Sequence, residues 1–270
     1  MKQVSPKIYD KDFFNRVYGE DNSSFDFNSD VSKYYYKEML QLKKLKKSDV
    51  IVDYGCGNGS LAFLLWKKYR CKIIAFDYSK DAISICRTRL IKIKKKFPKI
   101  DIKFLVANNN NLPKLANIKA VYFCDVIEHM YEDEIFQALK TIRGWAGEKG
   151  LSVIIHTDSD IYLRFVRPII NLFLIAVGRK TFKKVVAEKA EEDRVHVNLT
   201  NFMRLKKTMS KCGGKHFLTK FPQVTKAKIE KQLSGAIRIP ALTSLCFKIL
   251  NFTPWLSPSF YSIYRFQKKL

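Results

Sequence analysis

The chain has 270 residues, and 47% of them are hydrophobic, which is enough for one α/β domain with a sizeable core and an insertion. The 50 Lys and Arg residues outnumber the 25 Asp and Glu residues, and the net charge of +25 predicts an anionic partner: lipid headgroups, nucleic acid or an acidic small molecule. The six cysteines are scattered without a C-x-x-C pair, which argues against a zinc site or a disulfide framework. The sequence therefore predicts no metal and favours a reducing, cytoplasmic location.

The first 47 residues are predicted to form cap helices. Residues 1–30 are mixed in polarity, which indicates a loose lead-in with one short helix and no signal peptide. From about residue 30 to residue 47, apolar side chains recur at helical spacing and predict a longer helix. The residues that define this apolar face are Val31, Tyr34, Tyr35, Met39, Leu42 and Leu45.

Residues 50–60 predict a strand, a glycine-rich turn and a helix. A β-branched run ends in Asp53, three glycines follow at alternate positions, and an apolar helical stretch begins at Ser60. Glycine lets the backbone turn tightly and lets a bulky ligand lie against it. The spacing differs from the G-x-G-x-x-G of dinucleotide binders, and a carboxylate at the strand end repels a pyrophosphate but suits a cationic amino group. A purely structural turn is the alternative.

A second apolar strand, residues 72–77, ends in another acid. Asp77 lies 24 positions after Asp53, where a βαβ unit places a carboxylate on ribose hydroxyls. The two acids and the glycines together resemble the class I S-adenosylmethionine-dependent methyltransferases. The resemblance implies S-adenosylmethionine as the cofactor and S-adenosylhomocysteine as its product. It also implies that the N-terminal helices lie over the cofactor, with packing of their aromatic face on the core as the alternative.

The next helix, residues 80–96, leads to a strand over residues 102–107 that runs into four asparagines. In the resembled family a polar residue after this strand faces the adenine, and Asn108 takes that place here; an asparagine-rich turn is the alternative for the residues that follow. A fourth strand, residues 120–125, ends where the methionine part of the cofactor is expected. The cofactor-binding residues that the resemblance implies are Asp53, Gly55, Cys56, Gly57, Gly59, Asp77, Tyr78, Asn108, Asn109, Cys124, Asp125 and Val126.

Residues 126–130, with the sequence VIEHM, resemble the motif after strand four in quinone-biosynthesis O-methyltransferases and related small-molecule methyltransferases. The resemblance places Glu128 and His129 at the methyl end of the cofactor as catalytic candidates. His129 is the first candidate for a base, because the ordinary histidine pKa of about 6.5 lies close to neutral pH. The alternative is that both residues cap the next helix and hold the loop. The proline-containing motifs of nucleobase methyltransferases are absent from this position.

The fifth strand, residues 151–156, ends at His156, a second base candidate at the same edge of the sheet. An insert follows over residues 161–193. Its apolar part, residues 161–177, is too short and too charged to span a membrane. It is therefore either a lid over the substrate pocket or an interfacial helix on anionic lipid. Residues 187–194 are charged and are expected to be exposed.

His196 precedes a helix predicted over residues 200–212, in a region that resembles the same subgroup. The resemblance implies that this histidine lines the substrate pocket, and a structural role is the alternative. A sixth strand, residues 216–221, and a last strand, residues 261–267, complete the sheet. The aromatic and apolar stretch over residues 240–261 indicates a second lid or a membrane-facing surface.

The predicted fold is α/β: a Rossmann-like, doubly wound sheet of seven mostly parallel strands, with the last strand antiparallel and a helical lid insert. Residues 48–160 and 194–270 form the predicted core. The favoured function is O-methylation of a small-molecule or lipid-linked hydroxyl acceptor, with a histidine as general base and peripheral contact with an anionic membrane. The two alternatives are an RNA methyltransferase that uses the basic surface and a non-catalytic protein that binds the cofactor or a partner.

Overall fold

The computed structural model describes residues 3–18, 36–178, 180–222, 248 and 252–268. Its centre is one sheet with the seven strands β1 (Val50–Tyr54), β2 (Lys72–Asp77), β3 (Ile102–Val106), β4 (Ala120–Cys124), β5 (Leu151–Asp158), β6 (Lys215–Lys220) and β7 (Ser259–Phe266). The spatial order is β3-β2-β1-β4-β5-β7-β6. Strands β1 to β5 pair in parallel, whereas β7 runs antiparallel to both β5 and β6. The predicted fold class is confirmed.

Helices cover the sheet on both faces. They are α1 (Lys11–Tyr18), α2 (Ser60–Tyr69), α3 (Lys80–Lys96), α4 (Glu132–Gly144), α5 (Arg167–Ala176), α6 (Phe182–Val195) and α7 (Phe202–Lys211). Successive strand residues point to opposite faces, so Ile51 packs with the residues of α2 and α3 while Val52 packs with those of α4 and α7. Because both faces are covered, the central parallel strands are almost continuously apolar, as the sequence shows.

Strands β5 and β7 are longer than the sequence pattern indicates. Strand β5 continues to Asp158, two residues past the predicted end, because β7 pairs with its whole length from Leu151 opposite Phe266 to Asp158 opposite Ser259. Strand β7 therefore begins at Ser259 rather than at Tyr261. Cross-strand pairing with a distant segment decides these ends, and local sequence does not encode it.

The helix predicted over residues 30–47 is wrong from residue 37 onward: Tyr36 is helical, and residues 30–35 lie outside the described residues. The chain forms one 3₁₀ turn, Met39–Gln41, and then an irregular lead into β1. Side chains from α2 take the place of helical N–H donors here: the Tyr69 hydroxyl donates to the carbonyl oxygen of Lys43 at 2.8 Å, and the Lys68 ammonium donates to that of Leu40 at 2.7 Å.

The predicted insert consists of a π-helical turn, Tyr162–Val166, followed by α5 and α6. The two helices are joined by ion pairs of Arg167 with Glu188 and Glu192 and of Lys180 with Glu188. Residues 187–194, expected to be an exposed charged stretch, belong to α6. Among the described residues, no helix is long and apolar enough to cross a membrane. Half of the apolar stretch predicted over residues 240–261 lies outside them.

Candidate active site

A cavity of about 650 Å³ lies at the carboxyl ends of β1, β2, β3 and β4. The chain leaves β1 toward β2 and β3 on one side and continues with β4 and β5 on the other, so the cavity sits at the point where the winding of the sheet reverses. Ligands of doubly wound folds bind at this point. N-terminal residues, including Tyr9 and Phe13, and the end of α6 with Val195 and His196 complete the lining.

The glycine-rich turn after β1 is held against β2 by its own backbone. The N–H groups of Gly55 and Cys56 donate to the carbonyl oxygen of Phe76 at 2.9 and 3.0 Å. Gly55 has φ +70°, and a Cβ on it would come within 2.7 Å of the Val126 side chain. A side chain here would therefore be strained and would clash, so the close approach between this turn and the segment after β4 requires glycine.

Asp53 presents an incompletely satisfied carboxylate beneath this turn. Its side chain is 1% exposed, and its Oδ2 atom accepts no hydrogen bond from the described residues. Burial raises the pKa of Asp53 to about 7, the negative charge of Asp77 contributes to the increase, and the N–H of Ala62 opposes both effects. A buried acid with one free oxygen fits a cationic amino group, which would satisfy that oxygen and favour the ionised form.

Asp77 closes the end of β2 by accepting two backbone hydrogen bonds. Gly57 N–H donates to Oδ2 at 3.0 Å and Ser79 N–H donates to Oδ1 at 2.9 Å. Burial raises the pKa of Asp77, although these N–H groups oppose the shift. Each carboxylate oxygen has a second lone pair, so the residue can hold the loop and still accept from ribose hydroxyls. The ring of the adjacent Tyr78 lies 5.6 Å from that of Tyr9 in the N-terminal segment.

The asparagines after β3 organise their own loop at the rim of the cavity. Asn110 N–H donates to Asn108 Oδ1 at 3.0 Å, which forms an Asx turn. Asn109 joins three elements, because its Oδ1 accepts from the Tyr54 hydroxyl and its amide nitrogen donates to the Glu134 carbonyl oxygen. Both Asn108 and Asn109 line the cavity. The asparagine-rich turn is therefore present, and the same residues are also in a position to contact an adenine.

Asp125, directly after β4, adopts a backbone conformation that is unusual for a residue with a side chain. Its φ is +55°, and its carboxylate is 43% exposed within the cavity. His156 Nδ1 lies 2.6 Å from Asp125 Oδ1, and Ser259 Oγ lies 3.0 Å from His156 Nε2. Burial acts to raise the pKa of Asp125, but the charge and hydrogen bond of His156 outweigh it and hold the pKa below its ordinary value.

His129 stands where the N-terminal segment meets α6. Its Nδ1 lies 3.1 Å from the Val195 carbonyl oxygen and 3.0 Å from the Tyr9 hydroxyl. Because a carbonyl can only accept, this contact places the proton on Nδ1 and leaves the lone pair on Nε2. Burial, with the adjacent His196, lowers the pKa of His129 to about 4. The imidazole is therefore neutral at pH 7 and able to accept a proton.

Comparison with known proteins gives a consistent result. Residues 51–150 match the family model described as a methyltransferase domain. Pavine N-methyltransferase of Thalictrum flavum subsp. glaucum is 23% identical over 142 residues, which cover 52% of this chain and 38% of that protein's length. Residues 51–150 form a class I S-adenosylmethionine-dependent methyltransferase domain. The family assignment and S-adenosylmethionine as its cofactor are confirmed.

Solved structures share the fold of this chain over most of its length. A cyclopropane synthase from Mycobacterium tuberculosis aligns with a TM-score of 0.58 at 13% identity, covering 97% of this chain and 95% of that one. The geranyl diphosphate C-methyltransferase of Streptomyces coelicolor, solved with S-adenosylhomocysteine, Mg²⁺ and geranyl-S-thiolodiphosphate, has a TM-score of 0.57 at 12% identity, covering 89% and 82%. At these identities the likeness concerns the fold alone.

Two predicted catalytic residues do not line the cavity. Glu128 is 1% exposed, lies outside the cavity lining, and accepts a hydrogen bond from the Thr157 hydroxyl at 2.9 Å. His156 is also buried outside the lining, and both its ring nitrogens have partners in Asp125 and Ser259. Both side chains instead link the segment after β4 to β5, through Thr157 for Glu128 and through Asp125 for His156.

The cavity also contains residues that the sequence analysis missed. Tyr9 lies in the supposed loose lead-in yet reaches His129, 120 positions along the chain. No local sequence pattern predicts a contact between residues so far apart in the chain. Glu188, Glu192 and Val195 recur at spacings of four and three, which is the pattern of one helix face and could have been detected before the structure. His196, which the resemblance placed at the substrate pocket, lines the cavity, and its Nδ1 is buried without a partner among the described residues.

Proposed function

We propose that this protein transfers a methyl group from S-adenosylmethionine to the hydroxyl oxygen of a small-molecule or lipid-linked acceptor, with His129 as the general base. The observation that carries the proposal is the state of His129: Nδ1 is held by the Val195 carbonyl oxygen, and Nε2 makes no hydrogen bond to the described residues. A neutral imidazole with a free lone pair in a cavity lined by cofactor-site residues is suited to remove a hydroxyl proton.

The residues at the strand ends would hold the cofactor. The free oxygen of Asp53 suits the amino group, Asp77 suits the ribose hydroxyls, and Asn108 with Asn109 suits the adenine. The segment from Cys124 to Val126 would border the methionine chain. When bound, S-adenosylmethionine supplies a methyl group already activated on a sulfonium, and its displacement leaves S-adenosylhomocysteine.

The protein's own part of the reaction is positioning and proton removal. The acceptor hydroxyl loses its proton to Nε2 of His129 as the new C–O bond forms, and the proton on Nδ1 stays hydrogen-bonded to the Val195 carbonyl oxygen. The ring of His196 lies 4.8 Å from that of His129, and we place this residue at the acceptor side of the cavity. The subgroup resemblance to quinone-biosynthesis enzymes agrees with a hydroxyl acceptor.

The first experiment is a calorimetric titration with S-adenosylhomocysteine of the wild-type protein and of the variants Asp77→Ala and His129→Asn. We expect binding that is strongly weakened by Asp77→Ala and retained by His129→Asn. Methyl transfer from labelled S-adenosylmethionine to a panel of hydroxyl acceptors should then be lost in His129→Asn. A well-folded wild type that binds no S-adenosylhomocysteine would refute the proposal, and full transfer by His129→Asn would refute the role of the base.

An amine is the second candidate acceptor, and the charge of the cavity favours it. In a chain where bases outnumber acids two to one, the cavity is lined by seven carboxylates and two arginines. The carboxylates are Asp53, Asp77, Asp125, Glu134, Glu188, Glu191 and Glu192. The relative with 23% identity is an N-methyltransferase by name. The same acceptor panel, extended to primary, secondary and tertiary amines, separates the two candidates by which class is methylated.

A further inference from the structure

An unusual apolar surface covers the outside of the insert. Phe165, Ile169 and Leu172, spaced by four and three residues, are 66%, 69% and 68% exposed, and Phe182 and Val186 at the start of the next helix, α6, are 71% and 50% exposed. Of the thirteen large hydrophobic residues that are exposed in the described part of the chain, six lie between residues 165 and 186. We call these six the insert surface: Phe165, Ile169, Leu172, Val177, Phe182 and Val186. Such clustering marks an interaction site, since singly scattered apolar residues are the norm.

The charge around the insert surface has one sign. Residues 161–187 contain no Asp or Glu and six bases, which are Arg164, Arg167, Arg179, Lys180, Lys183 and Lys184. Arg167 and Lys180 turn inward to the carboxylates of α6, whereas Arg164, Lys183 and Lys184 are exposed. An apolar face flanked by exposed bases, on a protein of net charge +25, is complementary to an anionic lipid surface.

The inner face of the same two helices lines the cavity. Arg167, Glu188, Glu192 and Val195 lie in the cavity wall, on the side of α5 and α6 that carries the ion pairs. The insert therefore stands between the cavity and the apolar surface. A bilayer against the insert surface would lie next to the acceptor side of the cavity, which includes His196.

We propose that the insert surface docks on anionic membrane, with its apolar side chains in the interface and Arg164, Lys183 and Lys184 on the headgroups. The docked enzyme would take its acceptor from the lipid phase, and this last step rests on the proposed function. A nucleic acid fits the surface less well, because four of its six apolar side chains are aliphatic and offer neither stacking planes nor hydrogen bonds. Ligand and membrane binding can be measured separately, so the two proposals fail independently.

The test is co-sedimentation of the full chain with vesicles of phosphatidylcholine alone and of phosphatidylcholine mixed with phosphatidylserine. We expect the wild type to bind only the anionic vesicles, less strongly at high salt. The charge variant Arg164→Glu/Lys183→Glu/Lys184→Glu should lower the partition coefficient by roughly 100-fold, because each base near the surface contributes to binding. The apolar variant Ile169→Ser/Leu172→Ser should lower it by roughly tenfold or more.

The matched control reverses three exposed lysines on other parts of the molecule, Lys114→Glu/Lys140→Glu/Lys149→Glu. This control has the same net charge as the first variant and should bind vesicles much better than it does. An equal loss of vesicle binding in the charge variant and in the control would show that only net charge matters and would overturn the proposal. Unchanged vesicle binding by the apolar variant would also overturn it. Binding of single-stranded RNA, but not of vesicles, would also overturn it. Unchanged S-adenosylhomocysteine binding by all the variants shows that the folded cofactor site is intact.

Discussion

As the pH rises, the ligand-free Asp53→Asn variant is predicted to lose less unfolding free energy than the ligand-free wild type. The pKa of this buried carboxyl is raised from 3.8 to about 7 in the folded state. The folded protein therefore favours the protonated form, and this contribution to stability, complete below about pH 4, is lost progressively as the pH rises through about 7. The amide that replaces the carboxyl in Asp53→Asn cannot ionise, so the variant escapes that loss.

The magnitude follows from the two pKa values. Each unit of difference corresponds to about 1.4 kcal/mol, so full ionisation of Asp53 costs the fold about 4 kcal/mol. Between about pH 5.5 and about pH 8.5, the wild type should lose about 2 kcal/mol of unfolding free energy relative to Asp53→Asn. A constant penalty of about 1–3 kcal/mol applies to the variant at every pH, because its amide donors lack partners.

The assay is urea unfolding of the ligand-free wild type and of Asp53→Asn across this pH range, with Asp101→Asn, an exposed acid, as the control. The free-energy difference between wild type and Asp53→Asn should change with pH, while Asp101→Asn should run parallel to the wild type. S-adenosylhomocysteine should bind Asp53→Asn about 10- to 100-fold more weakly, because a charge-assisted hydrogen bond is lost. A stability difference that is flat with pH would refute the reasoning.

Three further predictions concern the turn and the base. Gly55→Ala should destabilise the fold by at least about 1–2 kcal/mol in urea unfolding, because Gly55 has φ +70° and its Cβ would meet Val126, whereas Gly144→Ala, with open space around it, should be neutral or stabilising. His129→Gln should lower kcat by about 10²–10⁴-fold with S-adenosylhomocysteine affinity unchanged. In the wild type, the decrease in rate at low pH that follows protonation of His129 should have its midpoint near pH 4, so that the rate is constant from about pH 6 upward. A midpoint near pH 6.5 would contradict the burial of His129. Tyr9→Phe should lower kcat by several-fold, and an unchanged kcat would show that the contact with Val195 suffices to orient the ring.

The parts of the site that could be predicted are those set by local backbone chemistry. The turn after β1 needs glycine close behind Asp53, and the spacing to Asp77 follows from the length of one βαβ unit. Both features depend on residues that are close together in the sequence, so they can be recognised without the structure. The position of Asn108 follows in the same way, because it comes directly after a strand whose end must meet the same edge.

The parts that could not be predicted depend on contacts between distant segments. Glu128 and His129 are adjacent in sequence and lie in the same 3₁₀ turn, yet one is buried against Thr157 and the other faces the cavity. Only the position of β5 decides which of the two faces inward. Tyr9 likewise joins the site because Ser79 donates a hydrogen bond to its carbonyl oxygen at 2.6 Å and anchors the N-terminal segment.

Unusual backbone conformations and mutually repelling acids lie together where the cofactor would bind. Three alternate glycines and Asp125 all adopt positive φ at the ends of β1 and β4, and the charge of Asp77 adds to the cost of ionising the buried Asp53. A cation placed on the free oxygen of Asp53 would relieve that repulsion, so binding should stabilise this edge of the sheet beyond the contacts it adds. Ligand-induced stabilisation should therefore grow with pH up to about 7 and be smaller in Asp53→Asn, and a pH-independent increase in Tm shared by both proteins would show that the acid is not coupled to the ligand.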